Sequence, residues 1–240
     1  MKILIIRHAD PNYEIDGLTP QGEVEAELLA KYMVNRPLDF AYMSPMGRAQ
    51  RTAEYTLKAK GMQGETMPWL AEFYYPAYNP YKEKESFMWD YLPSYYAQHP
   101  NLFQPTSWQE TEFIKNTTIP KGYRFVTEGL DALLKKHGYE REGMLYRVHN
   151  SNTDTIAFFC HFGLECILLS HLTGIAPASL LHHFCAAPSS VTTLVSEERQ
   201  EGIAQFRCLT FGSTEHLALG GEEPSFSARF CEIFNSPDRH

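Results

Sequence analysis

Residues 1–11 read MKILIIRHADP, and the decisive part is the apolar run Ile3-Leu4-Ile5-Ile6, which stops abruptly at Arg7 and His8. A short run of aliphatics, three of them β-branched, reads as a strand covered on both faces, because a strand with one wet face alternates apolar and polar positions. Such a strand gains no stability from a guanidinium and an imidazole at its end. These two residues are therefore candidates for a site beyond the strand tip.

The pattern repeats downstream. Residues 18–34, LTPQGEVEAELLAKYMV, predict an amphipathic helix, with Thr19 as cap, Pro20 in the first helical position, and Leu28, Leu29, Tyr32 and Met33 on one face. Residues 38–61, LDFAYMSPMGRAQRTAEYTLKAKG, predict a strand over Phe40–Met43, Ser44 as cap, Pro45 in the first helical position and a helix ending near Gly61. Strand, helix, strand, helix implies a parallel sheet. ETMPWLAEF (65–73) reads as a third strand and DTIAFFCHFG (154–163) as a further buried strand leading into a helix, with another helix from about Pro120 to near Gly138 between them. SSVTTLVSE (189–197) and IAQFRCLTFG (203–212) read as an antiparallel pair. The expected architecture is α/β: a three-layer sandwich with a mostly parallel central sheet, antiparallel C-terminal strands and a helical or loop insertion. One domain is expected over 1–240. The insertion is placed at about 74–119, where aromatic residues crowd and Pro76, Pro80, Pro93, Pro100 and Pro105 favour short helices and turns.

Bulk properties narrow the function. A chain of 240 residues that is 43% hydrophobic can bury a large core, and its net charge of −8 disfavours a broad surface for nucleic acid. The five cysteines, Cys160, Cys166, Cys185, Cys208 and Cys231, form no CxxC pair, so neither a disulfide framework nor a zinc cage is expected. The apolar stretch before Arg7 is too short for a signal-peptide core, and no later run reaches membrane-spanning length. A soluble, cytoplasmic protein without a membrane partner is the expectation, with the oligomeric state, a homodimer included, left open.

Arg7 and His8 follow the first expected strand, Arg48 lies just past the second, and His161 follows IAFFC. Ligands of open α/β sheets bind at the carboxyl ends of strands, so these residues are expected to share one crevice. Two guanidiniums and two imidazoles at helix starts suit a dianionic tetrahedral group such as phosphate or sulfate.

The ordered set LIIRHADP, LTPQG, SPMGRAQRTAE and CHFG resembles the histidine phosphatase superfamily, with its phosphoglycerate-mutase-like fold and RHG or RHA motif, and SSVTTL and FGSTEHL are similar to its terminal strands. The resemblance implies that His8 is the nucleophile that forms a phosphohistidine and that Arg7, Arg48 and His161 hold the phosphoryl oxygens. By the same resemblance, Glu72 in WLAEFYYP is the general acid and base, with Glu83 or Glu85 as competitors because FYYPAYNP departs from the family's glycine-rich continuation. No cofactor and no metal are expected, since the arginines neutralise the charge. Candidate substrate contacts are Asn12, Tyr13, Tyr74 and Tyr75; for Asn12 and Tyr13 an ordinary turn role is an equal alternative, and the rings of 74–119 read mostly as packing with a few lining tyrosines.

The expected activity is a metal-independent phosphomonoesterase acting on a small phosphorylated molecule. A phosphoglycerate mutase is the alternative on the same fold. Between them, the scarcity of cations in 74–119, which carries Lys82, Lys84 and Lys115 and no arginine, favours hydrolysis. From another class, a non-catalytic module binding a phospho-ligand or a protein is the third reading.

Overall fold

A computed structural model describes residues 1–237. The opening run forms strand β1 (Lys2–Arg7), followed by a two-residue antiparallel pair, β2 (Pro11–Asn12) and β3 (Gly17–Leu18), and by helix α1 (Pro20–Met33). Thr19 caps α1 as expected, its hydroxyl accepting from the Gly22 N–H at 3.0 Å, and Pro20 opens the helix where its missing N–H costs nothing. Strand β4 (Phe40–Met43) then leads to helix α2 (Gly47–Lys60), which stops on Gly61 in the left-handed region at φ 63°.

Two local expectations need correction. Helix α2 begins at Gly47 rather than Pro45, and Ser44 does not cap it: the Gly47 N–H donates instead to the Asp16 carboxylate at 2.6 Å. The expected third strand shrinks to β5 (Glu65–Thr66), because Pro68 has no N–H for a ladder and starts a 3₁₀ turn over Pro68–Leu70.

Residues 74–119 form an unexpected hairpin, β6 (Ala77–Asn79) with β7 (Lys84–Ser86), then short 3₁₀ turns and the one-turn helix α3 (Pro93–Tyr96). Many of its side chains are packing, as expected: Met88, Tyr91, Leu102, Trp108 and Ile114 are buried in one cluster with helix α4 (Ile119–Lys136). After α4 come β8 (Tyr139–Glu142), β9 (Leu145–Val148), β10 (Thr155–Cys160), α5 (Phe162–Thr173), α6 (Pro177–His183), β11 (Val191–Gln200), β12 (Ile203–Ser213) and α7 (Glu215–Gly220).

Eight strands make the main sheet, in the order β5-β4-β10-β1-β11-β12-β9-β8. From β5 to β1 the neighbours are parallel; from β1 to β8 they are antiparallel. The α/β sandwich with antiparallel C-terminal strands is thus as read from the sequence. The added hairpin β8–β9 makes the sheet mixed in nearly equal halves.

The unbroken apolar run of β1 has a direct cause. Ile3 and Ile5 point into the cluster built with α4 and α5, while Leu4 and Ile6 point into the one built with Leu29 and Met33 of α1 and Ala53 and Leu57 of α2. Each such aliphatic buried in full contributes roughly 1.5–3 kcal/mol, so helices on both faces make every position worth filling. Register then sets the site: Arg7 lies opposite Cys160 and Met43 opposite Phe159, so His8, Ser44 and His161 leave their strands at one level.

Candidate active site

His8 follows β1, and its backbone N–H donates to Cys160 O at 2.8 Å, which pins it beside His161. The two imidazole centroids lie 5.1 Å apart. His8 Nδ1 sits 2.8 Å from Ala9 O, an acceptor only, so Nδ1 carries the proton and Nε2 keeps its lone pair. Burial, reinforced by the Arg7 and Arg48 charges, holds the His8 pKa well below the usual imidazole value, against the pull of the Ala9 bond. Nε2 is thus a neutral nitrogen base.

His161 is lowered in the same way, first by burial and then by His8 and the two arginines. Its Nε2 lies 2.8 Å from Ser44 Oγ, which already accepts from the Met46 N–H at 3.1 Å. Ser44 can donate its proton to Nε2, in the tautomer that carries the imidazole proton on Nδ1.

Both arginines are clamped. Arg7 donates through Nη1 to Ala186 O at 2.5 Å and through Nη2 to Ser227 O at 3.0 Å, while Arg48 donates through Nη1 to Asp16 Oδ1 at 2.6 Å and through Nη2 to Tyr74 Oη at 3.3 Å. Arg7, His8, Arg48 and His161 are at most 3% exposed. Within this set Arg7 Nε, Arg48 Nε and His161 Nδ1 are buried with no hydrogen-bond partner. Unpaired buried donors are costly in a native protein, so those of Arg7 and Arg48, which line one cavity with His161 packed behind His8, suit an anion that supplies acceptors.

That cavity measures about 190 Å³, and its charged lining is Arg7, Arg48 and Glu72. Glu72 is half-buried against the start of α5: Oε1 accepts from Phe73 N–H at 2.7 Å and Leu164 N–H at 2.9 Å, and Oε2 accepts from Gly163 N–H at 3.4 Å. Burial raises its pKa, although these amides and the two arginines oppose the rise. Gly163 is required by close approach, since a Cβ there would stand 2.5 Å from the Trp89 ring and 2.7 Å from Glu72 Oε1.

Of the candidate contacts, Tyr13 and Tyr74 line the cavity. Asn12 does not; its side chain accepts from the Glu14 N–H, the turn role. Nor does Tyr75, whose ring packs on Phe73 and over Gly122, because successive side chains on extended backbone point to opposite sides. Glu83 and Glu85 are exposed on the β6–β7 hairpin and do not line the cavity.

Sequence reading missed several participants. Asp16 fixes Arg48 and caps α2 from a distant loop, at φ 48°. Phe87, Trp89, Phe162, Ala228 and Phe230 complete the cavity wall. Glu165, in the first turn of α5, is buried with Oε1 accepting from the Thr192 hydroxyl; desolvation pushes its pKa up to about 7 against that bond and the pull of Arg7. Only Ser44 carried a visible signal, being part of SPMGR.

A parallel α/β half-sheet whose strand tips carry these groups belongs to a class built to hold a tetrahedral anion. The histidine phosphatase superfamily (branch 1) model matches residues 3–112, and the fold is like that of histidine phosphatases. Solved structures agree in fold. A mutant phosphoserine phosphatase from Entamoeba histolytica in complex with phosphoserine is 18% identical with a TM-score of 0.61, over 90% of this chain and 98% of the other. A mycobacterial glucosyl-3-phosphoglycerate phosphatase is 13% identical with a TM-score of 0.59, over 89% and 99%. The alpha-ribazole phosphatase from Shigella flexneri is 18% identical with a TM-score of 0.51, over 89% and 98%. No curated protein matches the chain in sequence. Among the described residues no helix is long and apolar enough to cross a membrane.

Proposed function

We propose that the protein is a phosphomonoesterase that works through a phosphohistidine on His8, acting on a small phosphorylated molecule. The observation that carries this reading is the orientation of His8: its Nδ1 is tied to Ala9 O, and its Nε2 is left as a neutral base beside three buried, unpaired donors. Nε2 attacks phosphorus as the ester P–O bond breaks, and Glu72 gives its proton to the departing oxygen. Arg7, Arg48 and His161 Nδ1 donate to the equatorial oxygens in both displacements. Carboxylate Glu72 then takes a proton from water, which attacks phosphorus and breaks the P–N bond. The guanidiniums supply the neutralising charge, so the reaction needs no metal.

Hydrolysis is favoured over mutase chemistry because, among the described residues, no cation beyond Arg7 and Arg48 lines the cavity to grip a carboxylate or a second phosphate. We further read the chain as one domain in which 74–119 is an insertion serving the cavity, and, from its five free thiols, as a protein of a reducing cytoplasm.

The test is phosphate release from p-nitrophenyl phosphate with the wild type and with His8→Ala, together with rapid quenching to trap acid-labile phosphate on the protein. A loss of about 10⁴-fold or more and an absence of trapped phosphate are expected for the variant. Unchanged turnover in His8→Ala would sink the mechanism.

A further inference from the structure

The cavity wall opposite the cationic groups is almost entirely aromatic. Tyr74, Phe87 and Trp89 form one connected set: Tyr74 and Phe87 centroids are 4.9 Å apart, and Phe87 and Trp89 stack at 5.0 Å with 27° between their planes. Phe162 and Phe230 face the same space, with centroids 6.4 Å apart. Most rings of residues 87–113 that do not reach the cavity pack against the core, yet Tyr74 and Phe230 remain more than 40% exposed at its mouth. Exposed rings converging on a concave site are matched by an apolar ligand rather than by water.

Charge narrows the ligand further. A leaving group with a carboxylate would find, among the described residues lining the cavity, no cation beyond Arg7 and Arg48, which already hold protein acceptors and serve the phosphoryl group. A leaving group with an ammonium would face two arginines, and two of the ring faces are already turned to them: Arg7 lies 5.9 Å from the Phe162 centroid and Arg48 lies 5.4 Å from that of Tyr13. Phe87 and Trp89 stack on one another instead of closing around a point, an arrangement that extends a stack rather than caging a cation. The volume of about 190 Å³ lies below the roughly 300–1,000 Å³ of sites for drug-sized ligands, so the group is small.

We propose that the site takes phosphomonoesters whose leaving alcohol carries one flat aromatic ring and no further charge, and that Trp89 and Phe87 set this preference. This rests on the phosphatase reading above and adds the substrate class. The test compares kcat/KM for 2-phenylethyl phosphate, 2-cyclohexylethyl phosphate, phosphoserine and phosphocholine. The first two release alcohols of similar acidity, so their ratio reports the ring and not the leaving group. The phenyl ester is expected to exceed the cyclohexyl ester by roughly five- to ten-fold, and the two charged esters by more. In Trp89→Leu and Phe87→Leu, which keep an apolar side chain against the neighbouring rings, the phenyl-to-cyclohexyl ratio is expected to fall toward one. A cyclohexyl or charged ester turned over as well as the phenyl ester, or an unchanged ratio in both variants, would overturn the proposal while the phosphatase reading stands. No phosphate from any of the four would overturn both.

Discussion

At the strand tips, Arg7, His8, Arg48 and His161 are at most 3% exposed and each is hydrogen-bonded to protein, so their positions follow from the ladder of a sheet. In residues 74–119, the rings that reach the same cavity, Tyr74, Phe87 and Trp89, stand on irregular backbone and a short 3₁₀ turn and pack on one another. The first arrangement suits chemistry, which loses rate steeply when donors shift by fractions of an ångström. The second suits selection, because side chains on irregular backbone can be exchanged without disturbing strand register. On the proposed function, one cavity joins a rigid reacting half to a replaceable choosing half.

The division can be broken from the rigid side first. Arg48→Ala removes a buried donor that no other group can replace, and kcat/KM for p-nitrophenyl phosphate is expected to fall by about 10²–10³-fold. A loss below about ten-fold would mean that the reacting half is less dependent on its arginines than their burial implies.

Glu72 sits on the boundary, its carboxyl on α5 amides and its backbone at the edge of the aromatic stretch. In Glu72→Gln, hydrolysis of an alkyl phosphate is expected to slow by about 10²-fold and that of p-nitrophenyl phosphate by only a few-fold, since a good leaving group needs no proton. The pH profile follows from the directions of the shifts. On the proposed mechanism, the lowered pKa of His8 keeps the nucleophile neutral and active into mild acid, whereas the raised pKa of Glu72 keeps the acid protonated above the ordinary carboxylate range. Wild-type kcat/KM for the alkyl ester should therefore be highest in mild acid and fall as pH rises through the Glu72 pKa. A Gln variant that retained this alkaline fall would remove Glu72 from the reaction.

The smallest effect is expected one step behind the site. Asp16→Ala deletes both the cap on Gly47 and the partner of Arg48, and should lower stability by about 1 kcal/mol in denaturant titration and activity by several-fold. Because Asp16 is about half exposed, its ion pair is screened, and a loss as large as that of Arg48→Ala would show that Arg48 depends wholly on it.

Legibility divided along the same line. β1, α1, α2, β10 and the antiparallel pair were readable because runs of four or more apolar residues, helix periodicity and Thr19-Pro20 are local signals. The hairpins β6–β7 and β8–β9 were not, being short and largely polar, with pairing that depends on which sheet edge is open. Glu72 was reached through its sequence context, while Tyr75 was paired with Tyr74 as a contact although neighbours on extended backbone diverge.

By itself, the sequence determined the α/β sandwich and the convergence of Arg7, His8, Arg48 and His161, since residues at the tips of buried parallel strands converge wherever the sheet forms. Only the tertiary structure decided that Ser44 serves His161 instead of capping α2, that Asp16 takes over that cap, and that Phe230 and Trp89 meet across one cavity. Those are contacts between segments far apart in the chain, made where a free donor, a short side chain and a closing loop happen to face each other, and no local periodicity records them.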